Sequence, residues 1–505
     1  MWTPLSNSPA VGVSTMVLLT DGRLLCRGDD GTTAGGRRWL LLTASSTGSY
    51  VDGNWAEAAT SANARRFYAS AVLADGRVFV AGGEDSDGGS DLNAAESYDP
   101  VANTWSRLPT PGGWTAIGDA PCCVLPDGRL LLGSILTTET AIYDPKTNRW
   151  KAADNKDDRS DEETWTLLPD GTVLAVECSN HPKAEKYLPS DNRWTSAGTL
   201  PVELVQTSSS EIGPAILLPD GRVFALGATG HTAFYSRPSA IQAAGTWTQG
   251  SDLPRDPNGV QLIAKDAPAA LLPNGNVLCV ASPLAEGSGS KSYPGPSYFF
   301  EFDGRNFNPL PSPRAGSSPA FAFRFLLLPT GQVIVSSGSS DIDIYDSAGS
   351  ADPRWAPQVK SCPNVVAISG THQLTGTQLN GLSQAVSYGD DATMATNYPI
   401  VRLRRTEDNS VLYCRTHGHQ TMGVATGSQL VTTNFDVPTS ARLGAATLEV
   451  VANGIASPGI PVTVQPPVPN VNPKPRTGCI LNAALIVSAV SIVTFLVSLL
   501  LNDSL

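Results

Sequence analysis

One phrase governs what this chain can fold into: an apolar run, a tight turn and a second apolar run, repeated seven times. It reads VLLTDGRLL, AVLADGRVFV, CVLPDGRLLL, TLLPDGTVLA, ILLPDGRVFA, ALLPNGNVLC and FLLLPTGQVIV. The turn glycines are Gly22, Gly76, Gly128, Gly171, Gly221, Gly275 and Gly331, spaced 43 to 56 residues apart. Asp-Gly or Asn-Gly between apolar runs is the strongest short hairpin signal and predicts type I′ turns with two positive φ angles. Each hairpin is followed by a second strand pair that closes on an aromatic: Trp55, Trp105, Trp150, Trp194, Trp247, Phe307 and Trp355.

Four strands in about 50 residues is the kelch pattern of a β-propeller blade. We assign residues 1–360 to a seven-bladed propeller. Trp2 to Leu5 repeat the blade-closing Trp-x-x-Leu with no blade before them, so they are expected to pair into the last blade and remove its open edge, with Trp355 leading out. The composition agrees: 47 Gly, 39 Pro and only 16% charged residues suit many short strands, and exclude a coiled coil, a collagen or a disordered chain. The net charge of −12 excludes nucleic acid as a partner.

In residues 361–465 the repeat stops, and AVSY, IVRLRR, SVLYCR, LVTTNFDVP, ATLEVVA and IPVTV read as strands of an immunoglobulin-like (early-set) β-sandwich. Residues 466–479, with Pro466, Pro467, Pro469, Pro473 and Pro475, read as an extended stalk. From Ile480 to Leu501 there are 22 uncharged residues, enough for a transmembrane helix across a hydrocarbon core of about 30 Å. Lys474 and Arg476 before it and Asp503 after it place the bulk of the chain on the cytoplasmic side of a tail-anchored, single-pass arrangement. The N-terminus lacks the basic region and apolar core of a signal peptide, and the rival reading of the tail as a GPI signal lacks an entry signal and a polar spacer. The expected fold is therefore all-β, propeller then sandwich, with a C-terminal transmembrane helix.

Seven kelch blades followed by an early-set sandwich resemble the galactose oxidase and glyoxal oxidase family of copper-radical enzymes. ARRFYASAVLADGRVFVAGG (residues 64–83) is similar to that family's second blade, and FDVP followed by GAATLEVVANGIASPGIPVTV to its last domain. The resemblance implies a site where first strands enter the propeller mouth, made of a Cys cross-linked to a Tyr, a Tyr-His pair and a His from a sandwich loop. Counting back from the turn glycines, the cysteine position holds Val13, the cross-linked tyrosine position Phe67 or Tyr68, and the Tyr-His pair Phe321 and Ala322. His417, with His419 beside it, is the one matching ligand. With most of the site replaced, no copper or other cofactor is expected.

The same layer carries carboxylates. Asp119, Glu162 with Glu163, Glu211 and Asp266 lie eight to ten residues before their own turn glycines, with Arg65 and Arg66 from the second blade. They are expected either to converge on one mouth under His417 and attract a cation or a polyhydroxy ligand, or to cap loops on a solvated rim. The acidic run of residues 154–163 reads as a solvated loop. The eight cysteines read as mostly reduced, with Cys122-Cys123 as two packed thiols, Cys362 and Cys414 as a possible pair, and Cys479 at the membrane edge. The functional expectation is a membrane-anchored, non-catalytic propeller presenting a protein- or glycan-binding surface. The alternative is a galactose oxidase-like oxidoreductase with a rebuilt mouth acting on a carbohydrate or aldehyde.

Overall fold

The structure, a computed structural model, describes residues 1–29, 36–84, 86, 90–285, 289–388 and 394–467. Seven antiparallel sheets, each contributing a four-stranded blade, follow one another along the chain. Blade 2 is representative: Ala69–Val72, Val78–Ala81, Ala95–Asp99 and Thr104–Leu108 pair in sequence order, the inner strands wholly buried and the outer one exposed.

The repeated turn differs from the type I′ expectation. Only the glycine of each Asp-Gly or Asn-Gly has positive φ, from 78° at Gly22 to 89° at Gly275. Gly22 N–H donates to the Leu19 carbonyl, and Leu19 N–H to that of Arg23. This is a type I turn closed by a bulge at the glycine, the common three-residue hairpin. The aspartate earns its place through its side chain: Asp21 accepts from the Arg23 backbone N–H at 3.0 Å and from its guanidinium at 2.6 Å.

The closing tryptophans also have a physical role. The indole N–H of Trp105 donates to the Ala59 carbonyl, that of Trp150 to Pro109 and that of Trp247 to Ala197, so each ties its blade to the preceding one. Trp2 does the same for the last blade. Trp2–Pro4 pairs with Asp343–Tyr345, and the Trp2 indole donates to the Pro311 carbonyl in blade 6 at 2.5 Å. Trp355 sits in a short 3-10 turn, Pro353–Trp355, that leads out of the propeller.

The chain then builds a nine-stranded sheet that curls around its own core of Leu374, Val401, Leu403, Val431, Phe435, Leu448 and Val450. This sheet covers the turn-glycine face of the propeller. Gly22 has Tyr413 against it and Gly331 lies against Gly454, each too close for a Cβ. AVSY, read as a sandwich strand, does not belong to that sheet. Its Val386–Tyr388 enters the propeller and adds a strand to blade 6, with Tyr388 opposite Pro268 and Val386 opposite Ala270. Gln384 accepts from the Leu167 N–H at 2.8 Å on the way, and Asn453 holds the entry by accepting from Leu382 and Ser383. The inserted strand runs from the covered face toward the opposite one, where the first strands of the blades begin.

Among the described residues no helix is long and apolar enough to cross a membrane. The expected transmembrane helix of residues 480–501 and nearly all of the Pro-rich stalk lie outside the described residues.

Candidate functional site

The propeller mouth is the face away from the nine-stranded sheet, and among the described residues it is bipolar. On the side of blades 4, 5 and 6, Glu162, Glu211 and Asp266 each offer a carboxylate oxygen within 4.8 Å of the others. Each stands just before the first strand of its own blade. Glu162 and Asp266 have positive φ, 62° and 46°, which turns the chain sharply as it enters the blade.

Tyr293 joins two of these acids. Its hydroxyl contacts Glu211 Oε1 at 2.8 Å and Asp266 Oδ2 at 2.5 Å. A phenol has one proton to donate, so only one of the two carboxylates accepts it at a time. Burial, then the charges of Asp266 and Glu211, drive the Tyr293 pKa far above its ordinary value, so the phenol stays protonated. Lys265, 3% exposed, sets its ammonium 4.2 Å from the Tyr293 ring centroid. Two buried polar atoms here have no hydrogen-bond partner: Lys265 Nζ, a donor, and Glu211 Oε2, an acceptor. Neither state is comfortable in a protein interior.

The remaining sequence candidates separate from this group. Asp119 is buried before blade 3 and is not one of the three converging carboxylates. Glu163, neighbour to Glu162, points the other way. It is fully buried, accepts from Lys156 Nζ at 2.5 Å and from the Trp165 indole at 2.9 Å, and shares that ammonium with Glu177 and Glu185. This corrects the solvated-loop reading of residues 154–163. Lys156, Asp158, Ser160 and Glu163 are all buried, Asp158 accepting the N–H groups of Ser179 and Asn180. A run rich in acids hid the lysine they enclose.

Arg65 is corrected likewise. It is 1% exposed, paired with buried Glu96 at 2.7 Å and donating to the Gly82 and Ala94 carbonyls, and so holds blade 2 together. Tyr68 is buried against Trp39. His417 does not overhang the mouth. Its Nε2 lies 3.1 Å from Asp436, and the adjoining Thr416 and His419 N–H groups donate to the Thr20 and Ala74 carbonyls, beside the hairpin turns at the far end of the channel. The residue that the C-terminal part sends to the mouth is Tyr388, whose hydroxyl donates to the Phe321 carbonyl at 2.9 Å. The Phe321 ring in turn lies 4.6 Å from that of Tyr293.

Comparison with known proteins agrees with this architecture. The Kelch motif matches residues 65–112, which are blade 2. The F-box/kelch-repeat protein SKIP20 of Arabidopsis thaliana is 36% identical over 99 residues, 18% of this chain and 23% of that protein, so the chain spans less than a quarter of the relative it matches. Among solved structures, a novel fungal alcohol oxidase with catalytic diversity among the AA5 family, in complex with copper, superposes with a TM-score of 0.52 at 15% identity over 92% of this chain and 99% of that one. This chain is a seven-bladed propeller carrying the Kelch motif. At that identity the oxidase shares its fold.

At positions where the resemblance would place copper-site residues, Val13, Phe321 and Ala322 offer no ligand side chain. Val13 is buried in the first strand of blade 1, Phe321 and Ala322 form a 3-10 turn, and the groups of three or more metal-competent side chains among the described residues contain carboxylates alone. Oxygen-only sets suit hard cations, not a nitrogen- and oxygen-ligated copper. The described cysteines are free thiols, Cys362 and Cys414 included.

Proposed function

We propose that this kelch propeller is a binding protein whose open mouth takes a polyhydroxy ligand, a glycan or the glycan of a protein partner, without chemistry on it. The observation that carries the reading is the pair of orphans beside Tyr293. A ligand hydroxyl that donates to Glu211 Oε2, with an oxygen accepting from Lys265 Nζ, satisfies both at once. Carboxylates accepting from hydroxyls, with an aromatic face beside them, are a chemistry suited to polyols, and Tyr293 and Phe321 supply that face. Kelch blades are repeated supports for variable loops, which favours a recognition role. In this reading the nine-stranded sheet is an immunoglobulin-like domain plugging the channel from behind, and residues 480–501 anchor the chain to a membrane with the mouth on the cytoplasmic side. The alternative, an oxidoreductase with a rebuilt mouth acting on a carbohydrate or aldehyde, draws on the shared fold.

Metal analysis separates the two. The purified full-length chain, incubated with copper(II) and dialysed, is expected to retain substoichiometric copper and no radical absorption band. One copper per chain with such a band overturns the binding reading in favour of the oxidase.

A further inference from the structure

Across the mouth from the carboxylates lies a concentration of positive charge that the polyol reading does not use. Arg27 stands in the second strand of blade 1, Leu24–Asp29, Arg66 leads into blade 2, and Arg324 opens the first strand of blade 7, Arg324–Leu327. The guanidinium carbons of Arg66 and Arg324 lie 5.2 Å and 5.7 Å from the centroid of one ring, Phe67. Arg324 also lies 3.7 Å from the Tyr388 ring centroid, over its face, and its Nη1 donates to the Phe321 and Phe323 carbonyls at 2.7 Å and 2.9 Å.

Two of these guanidiniums are under-satisfied. Arg27 is 4% exposed, and its Nε and Nη1 have no acceptor; Arg324 is 5% exposed, and its Nε has none. Burial is the largest influence on Arg27 and lowers its pKa; Tyr68 and Asp29 oppose this, while the neighbouring charges of Arg324 and Arg66 add to it. Buried guanidinium N–H groups without acceptors are costly, and the forked geometry of arginine matches a planar carboxylate.

The two halves of the mouth meet at Phe321, whose ring lies tilted at 55° against that of Tyr293 and whose carbonyl accepts from Tyr388 and Arg324. A neutral sugar would satisfy the carboxylate half and leave the orphan N–H groups of Arg27 and Arg324 unmet. Inorganic phosphate held by the arginines would leave Glu211 Oε2 and Lys265 Nζ without partners. A ligand bearing both groups answers both halves.

We infer that the mouth binds a sugar acid, its carboxylate held by Arg27 and Arg324 beside Arg66 and its hydroxyls by Glu211 and Lys265. The hydroxyl half rests on the proposed function; the carboxylate half rests on the arginines. Calorimetric titration of the full-length chain at low ionic strength with D-glucuronate, D-glucose, acetate and phosphate tests it. Glucuronate is expected to bind at least about tenfold more tightly than glucose, and Arg324→Gln and Arg27→Gln each to lose that margin. Without ligand, Arg27→Gln is expected to melt at or above the parent temperature, because it deletes a buried charge with unmet hydrogen bonds. A structural arginine would instead lower it. If Arg27→Gln does not fold, the half-buried Arg66→Gln is read in the same titration. Equal affinity for glucuronate and glucose, or no loss in Arg324→Gln, overturns the inference and leaves the polyol reading standing. Acetate binding that depends on Arg324, with no heat from either sugar, supports the carboxylate half and overturns the polyol reading. No heat from any of the four overturns both.

Discussion

Single residues at this mouth and in blade 4 carry charge in places where water cannot help them. Lys265 is the plainest case. Its ammonium is buried, without a hydrogen bond, and set over the Tyr293 ring. Lys265→Met is therefore expected to leave the unliganded melting temperature unchanged or raised, and to abolish sugar binding in the same calorimetric titration. The Lys156 cluster makes a different prediction. Burial, the largest influence, pushes Glu163 and Glu177 up to about 8, although Lys156 pulls both down. The native state thus holds protons that unfolded glutamates have already lost, so stability present in full below pH 4.5 is lost as pH rises to about 8. His419 works in the opposite sense, since burial lowers it to about 3 and its contribution is lost as pH falls below 6.5. The clean window is pH 6.5 to 8, where each glutamate contributes a slope of up to about 1.4 kcal/mol per pH unit. Denaturant unfolding across that window is expected to show falling stability, and Glu177→Gln about half the slope; a flat profile in the parent chain contradicts the buried-cluster account.

Strands and turns were the most legible elements, because each is specified by residues a few positions apart. Asp-Gly between apolar runs set the first hairpin of nearly every blade, and the Tyr…Asn…Trp phrase set the second: Tyr98, Tyr143 and Tyr187 donate to Asn103, Asn148 and Asn192, which sit at positive φ in the turns. The turn type was misread because the twist that favours type I′ is met here by a bulge. Val386–Tyr388 was misplaced for a different reason. Its apolar run looks like any short strand, and its partner Pro268–Leu271 lies more than a hundred residues earlier, which no local pattern reveals. The site shows the same division. Counting back from the turn glycines found Glu162, Glu211 and Asp266, but also Arg65 and Glu163, because alternation along an irregular lead-in does not say which of two neighbours faces the axis. Lys265 was in view as the residue before Asp266. Tyr293 was not, because it lies between the second and third strands of blade 6, where no repeat position anticipates it. At this scale the closing strand is the sharpest test. Deleting residues 1–7 removes the pairing of Trp2–Pro4 with Asp343–Tyr345 and the packing of Trp2 on Phe299 and Tyr345. The loss is expected to be at least about 3 kcal/mol in denaturant unfolding, from the half-buried Trp2, the buried Leu5 and the lost strand pairing together. An unchanged midpoint would mean that the ring closes without it.

Residues 1–466 form a propeller whose back is sealed by the C-terminal sheet and whose front, among the described residues, is acidic on one side and basic on the other. The seal is extensive: Tyr398 donates to the Leu18 carbonyl, Arg415 to that of Asp75 and Thr421 to that of Pro126, so blades 1, 2 and 3 are all pinned from behind. In the proposed reading, recognition acts on the front. Truncation after Pro469 is expected to yield a folded protein in the soluble fraction, since the core of residues 1–466 is self-contained; persistence in the membrane fraction would show that residues 480–501 are not the anchor. The central claim is that Glu162, Glu211 and Asp266 form a ligand site and are not an unoccupied rim. Their mutual repulsion in a half-buried setting makes a direct test possible. The measurement is calorimetric titration with neutral sugars of the parent chain and of the triple variant Glu162→Gln, Glu211→Gln, Asp266→Asn, each checked by thermal melting. The account predicts saturable heat from the parent, none from the variant, and a variant melting temperature equal to or above the parent's. Binding that survives in the variant, or a parent that gives no heat with any sugar or sugar acid, would contradict it.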